Sequence, residues 1–128
     1  MKDLSIKEFS NLIYEKIKSL EYETILTKPT LGSVFPCIEL HTPLKSINKS
    51  EEAFPISSTF QILITCWNED KKEVMGMTHE VDEKLQQYNI LRTITNEVKY
   101  DETLKKYEIT VQYEVRYNGI TDSFNFIK

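Results

Sequence analysis

Apolar residues recur at steps of three and four from the start of the chain. Ile6, Phe9, Leu12, Ile13, Ile17 and Leu20 fall on one stripe, and Lys7, Glu8, Glu15, Lys16 and Lys18 occupy the rest. Ser5 and Glu8 stand at capping-box spacing, in which each side chain satisfies a backbone N–H at the helix start. The pattern predicts an amphipathic helix. Its polar face mixes both signs of charge, which marks a helix that covers a core rather than a membrane surface. A second helix is predicted from Asn68-Glu69-Asp70 onward. Asp70 and Glu73 repeat the cap spacing, and Val74, Thr78, Val81, Leu85 and Tyr88 follow at steps of four and three. Glu80, Asp82, Glu83 and Lys84 face water, while Met75 and Met77 flank the stripe as fillers of core gaps.

Between and after these helices the period falls to two. Tyr22 to Leu26 alternates weakly, and Phe35 to His41 forms a second strand bounded by Pro36 and Pro43. Proline donates no ladder hydrogen bond, so this strand lies at a sheet edge or starts at the proline. Lys28 to Ser33 reads as a turn between the two. Ser58 to Trp67 has the buried-strand pattern. Phe60, Ile62, Ile64 and Cys66 share one face, and Gln61, Leu63 and Thr65 share the other. Leu63 on the second face implies that both sides are partly covered. Ile90 to Tyr100 and Lys105 to Tyr117 close the pattern as a hairpin across Asp101 to Leu104. In the last strand Tyr107, Ile109, Val111, Tyr113, Val115 and Tyr117 point one way. Lys106, Glu108, Thr110, Gln112, Glu114 and Arg116 point the other.

These elements predict an α+β domain in the order α-β-β-β-α-β-β, with two helices on a mostly antiparallel sheet of four to five strands. Residues 1–128 make one domain without internal repeats. Phe60, Ile62 and Ile64 are expected beneath the stripes Phe9, Ile13, Ile17 and Val81, Leu85. Residues 42–57 form a long polar connection, read as a flexible arm. Residues 118–128 form a tail after the Asn118-Gly119 turn, and Phe124 and Phe126 in it either fold back on the core or dock on a neighbour.

Composition narrows the function classes. With 40% hydrophobic and 28% charged residues the 128-residue chain is globular rather than disordered. The net charge of −4 and the absence of a basic stripe argue against a module that grips DNA. Three glycines, none in G-x-G-x-x-G or G-K-[ST], argue against a phosphate-cradling loop. The N-terminus lacks an apolar signal core, and no apolar run is long enough to span a bilayer, so a soluble cytoplasmic protein is expected.

Candidate chemistry is thin. Cys37 and Cys66 sit in apolar strand runs, as small buried hydrophobes do. His79-Glu80 is not followed by a second histidine at metalloprotease spacing, and no G-x-S-x-G elbow occurs. Pairing Cys37 with His41, or Cys66 with His79, would place a nucleophile in a strand that offers nothing to activate it. The expectation is a non-enzyme, without catalytic residues, cofactor or metal.

The whole length resembles the tail terminator, or tail-completion, proteins of long-tailed bacteriophages. The resemblance rests on the opening helix Ile6 to Leu20, the strand Phe60 to Trp67, the helix Glu73 to Tyr88 and the closing ribbon Tyr107 to Tyr117. It implies a virion protein that forms a ring, usually of six copies, at the head-proximal end of the tail tube. Such a ring stops tube polymerisation, meets the head connector and lets DNA pass without specific binding. The implied partners are copies of the chain itself, the tail tube protein and a head-connector or neck protein. Tyr113, Val115, Tyr117, Phe124 and Phe126 are the candidate ring interface. The ribbon is longer than the other strands, and an edge without an internal partner is free to pair with another chain. Two other readings stay open: another neck or tail-tube component, and a small ligand-binding or enzymatic domain.

Overall fold

The computed structural model describes residues 3–48 and 57–125. Two helices lie on one side of a mostly antiparallel sheet, which is the expected α+β class. Helix α1 (Ile6–Lys18) begins at the predicted capping box: the Ser5 Oγ accepts from the Glu8 N–H at 3.0 Å, and the Glu8 carboxylate accepts from the Ser5 N–H at 3.2 Å. Helix α2 (Lys71–Gln86) is capped by Asp70, which accepts from the N–H groups of Lys72 and Glu73. The acidic cap also suits the positive end of the helix dipole.

The strands are β1 (Glu23–Ile25), β2 (Cys37–Leu40), β3 (Leu44–Asn48), β4 (Ser57–Asn68), β5 (Leu91–Thr95), β6 (Lys99–Asp101), β7 (Lys106–Asn118) and β8 (Ser123–Asn125). Eight strands replace the four to five expected. The excess arises because short segments share rows of the sheet. Strands β4 and β7 pair antiparallel along their full length, from Ser57 opposite Asn118 to Asn68 opposite Tyr107. On the far side of β4, β2 covers one half and β3 the other. The two are separated by one extra residue: Leu40 faces Ile64, but Leu44 faces Gln61. This is a β-bulge at His41–Pro43, where Pro43 escapes the ladder bond it cannot make. On the far side of β7, β6, β5 and β8 follow one another.

Several expectations are corrected here. Residues 44–48 of the predicted long connection are strand β3, which the sequence does not mark because Leu44-Lys-Ser-Ile-Asn does not alternate. Residues 49–56 lie outside the described residues. Of the two positions expected for the strand after Pro36, β2 takes the second: it starts just after the proline, and β4 and β1 flank it. The pairing with β1 is parallel. The predicted strand Ile90 to Tyr100 divides into β5 and β6 through register shifts against β7. The far side of β7 is taken up in turn by β6, β5 and β8, the last formed by the tail folding back upon its own sheet.

The core lies between sheet and helices. Phe9, Ile13 and Ile17 of α1, Val81 and Leu85 of α2, and Phe60, Ile62 and Ile64 of β4 are all buried in one cluster, as periodicity predicted. Phe9 stacks on Phe60 at 4.3 Å between ring centroids, and Phe124 meets Phe9 edge-on at 6.1 Å. The Asn89 side-chain amide donates to the Phe124 carbonyl at 2.7 Å and ties the tail to the end of α2. Met77 is buried in the core, but Met75 is exposed. Position 75 turns away from the stripe that Val74 and Thr78 define.

Candidate functional site

Both helices cover the same side of the sheet, so the other face is left to loops and water. Directly opposed residues of paired strands point to the same face. The open face therefore carries Glu39, Leu44, Gln61, Leu63, Thr65, Trp67, Leu91, Ile94, Glu108, Gln112 and Glu114.

One end of this face is closed. Cys37, Trp67 and Leu104 form a second buried cluster with Ile25 and Phe35 around it. A polar relay runs along its border. The Trp67 indole N–H donates to Glu39 Oε1 at 3.1 Å, and the other Glu39 oxygen stands 3.6 Å from His41 Nε2. That nitrogen lies 2.9 Å from the Thr65 hydroxyl, which in turn lies 2.8 Å from the Thr110 hydroxyl. Hydrogen bonding of this kind lets a carboxylate and two threonines sit low in the sheet without unsatisfied groups. Opposite Trp67, the Glu108 carboxyl is held above its usual range, mainly by burial and then by the nearby charge of Asp101.

The middle of the face is different. Leu63, Gln112 and Ile94 stand in one line across β4, β7 and β5. Leu44, Gln61, Glu114 and Leu91 form the next. Leu44 is 66% exposed, Ile94 55% and Leu63 40%. The amides of Gln61 and Gln112 both donate to Glu114 Oε1, at 2.7 and 2.8 Å. The result is one fixed carboxylate set among exposed aliphatic side chains. A hollow of about 380 Å³ opens beside it, lined by His41, Thr42, Leu44, Gln61, Ile62, Leu63 and Gln112.

The residues predicted for the ring interface sit elsewhere. Tyr113, Val115 and Tyr117 are buried under the helices, at most 3% exposed, so their side chains offer nothing to a second copy. A free ribbon would leave them at an interface, but β7 is the second strand of the sheet's centre, between β4 and β5. The Tyr113 hydroxyl donates to Asp82, which also takes Arg92 at 3.1 Å. The Tyr117 hydroxyl donates to Asp122. Phe124 packs half-buried against Phe9 and Tyr117, and Phe126 lies outside the described residues. Sequence reasoning missed Leu44, Gln61 and Glu114 as a surface. The available signal was Leu63, an apolar residue in the register of a wet face.

The two cysteines and His79 lie in different settings, the thiols buried and the imidazole exposed. Burial pushes the thiols of Cys37 and Cys66 up to about 12, which keeps both as neutral thiols at physiological pH. His79 is exposed and pairs with Glu83 at 2.9 Å, one turn away. Among the described residues, no group of three His, Cys, Asp or Glu side chains is arranged to hold a metal, and no helix is long and apolar enough to cross a membrane. A scan against protein-family models finds no match, and no curated protein is significantly similar in sequence.

Proposed function

We propose that the chain is a structural assembly protein of the tail-terminator kind. Its copies close into a ring, six by the family resemblance, at the head-proximal end of a phage tail. There the ring stops tube polymerisation and meets the head connector.

One observation carries this reading. A sheet with both helices on one side leaves exposed Leu44, Leu63 and Ile94 grouped on the other. Single exposed aliphatics are ordinary on a protein surface, but grouped ones mark a surface that meets another molecule. The group lies on paired strands rather than loops, so its shape is fixed before contact, which lowers the entropic cost of association. The net charge of −4 agrees with a lumen through which DNA moves without being held.

Sedimentation of the full-length protein over a range of concentrations, with electron microscopy of the heaviest species, tests the reading. The expected result is a closed ring of defined copy number. A chain that stays monomeric at high concentration refutes it.

A further inference from the structure

The loop between β1 and β2 matches the open face in chemistry. Its Leu26, Leu31 and Val34 are 62 to 76% exposed. Lys28 is the one charged side chain from Leu26 to Pro36, and 69% of it is exposed. The loop is shaped rather than slack. The Ser33 N–H donates to the Thr30 carbonyl at 3.0 Å, and the Ser33 Oγ accepts from the Thr30 N–H at 2.9 Å. This turn puts Leu31 and Gly32 at its tip, while Pro29 is buried and anchors its base. The Lys28 ammonium makes a 3.9 Å ion pair with Asp101, which an exposed lysine gives up at little cost.

The middle of the open face is the counterpart: exposed aliphatics around one charge of opposite sign. Among the described residues Glu114 is the one charged side chain in its two lines; Arg116 stands in the next line, opposite Thr59, and the hollow of about 380 Å³ lies on the other side, next to Gln61 and Gln112. We propose that the Leu26–Val34 loop of one copy docks on the open sheet face of the next, with Leu31 entering that hollow and Lys28 pairing with Glu114. The occupant is a second copy of this chain, because the apolar count and the charge sign match on two different surfaces of one molecule. A contact between unlike surfaces is head-to-tail, and it closes into a ring when its rotation divides a full turn. Amides already hold Glu114 in place, so the pair forms without ordering the acceptor. The inference rests on the ring reading and specifies the contact within it.

The test separates the two. Sedimentation of the unmodified chain reads self-association alone. If it assembles, Lys28→Glu and Glu114→Lys are each expected to weaken assembly roughly tenfold, and the combined exchange to restore it to within about threefold. A second arm uses Leu31→Asp, which blocks the loop, and Leu63→Asp, which blocks the face. Each alone should be monomeric. Their mixture should form a one-to-one dimer, since one loop and one face remain intact. Thermal melts confirm that each variant is folded; if Glu114→Lys is not, the mixing arm decides. Assembly that all four substitutions leave unchanged, or a mixture that stays monomeric, overturns this contact and leaves the ring reading standing. An unmodified chain that never associates overturns both.

Discussion

Replacing Phe60 with alanine tests the core where sheet, helix and tail meet. The ring is fully buried, lies flat on Phe9 at 4.3 Å and has the Lys45 ammonium 5.8 Å from its centre. Truncating a buried phenylalanine costs about 3–5 kcal/mol, part transfer and part cavity. The upper half of that range applies, because β4 is paired on both sides and cannot move in to fill the space. Losing the stacked pair is included in that cost, at about 1 kcal/mol. A loss of about 4 kcal/mol is a large share of the roughly 5–15 kcal/mol that holds a domain of this size. At about 3–5 °C per kcal/mol, the melting temperature should fall by roughly 12–20 °C. Phe60→Leu keeps most of the volume and should lose only about 1–2 kcal/mol. Circular dichroism melts and urea titrations of the two variants give both numbers. A Phe60→Ala protein melting within roughly 3 °C of the unmodified chain would refute a core built on this stack.

Neighbouring residues of β4 should respond oppositely. Ile62→Asp buries an unpaired charge and should unfold the chain or cost several kcal/mol, whereas Leu63→Asp, one residue on and facing out, should melt near the unmodified protein. Glu108 binds its proton more tightly folded than unfolded, so its contribution favours the fold below the ordinary carboxylate range and is lost as pH rises through its folded pKa. Glu108→Gln should therefore raise the melting temperature at pH 7 and make little difference near pH 4; equal gains at both would count against the assignment. Tyr22, held by its hydrogen bond to Glu80 and by burial, and Tyr117, held by burial and its bond to Asp122, are raised to about 12. Absorbance titration should show both ionising about two units above free tyrosine, with stability falling from pH 10 to 12 as the unfolded state loses its protons first. Cys37 and Cys66 should resist a thiol reagent in the native protein at pH 8 and react at once in denaturant. Deleting residues 120–128 removes β8 and the Phe124 ring, and should lower the melting temperature.

Much of this architecture was legible in the chain because one face of each element is apolar. The stripes of α1 and α2 and the alternation of β4 and β7 each name their buried side without reference to a partner, and the core follows from them. What stayed hidden is set by pairing. Strand β3 has no alternation, and it is a strand only because β4 offers its backbone a ladder. The bulge at His41–Pro43 depends on a one-residue mismatch between two strands that neither sequence shows alone. The edge or centre status of β7 is hidden for the same reason. Tyr113, Val115 and Tyr117 were correctly read as an apolar face, but that face belongs to the chain's own helices. The surface that remains is built by register: Leu44, Leu63, Ile94 and Glu114 come from four strands and meet only when the three pairings between those strands are known.

The long pair β4–β7 is bordered on both sides by short segments, with β2 and β3 along one flank and β6, β5 and β8 along the other. Each border piece is fastened by its own few ladder bonds and separated from the next by a bulge or turn. Opening one leaves its neighbours in place. Amide hydrogen exchange should therefore be graded: slowest along Phe60–Cys66 and Ile109–Val115, and faster, at separate rates, in each border piece. A ring made from such units would have a stiff inner frame and borders that yield one at a time. A neighbour pressing on β3 or β5 would meet local compliance while the central pair kept its registration.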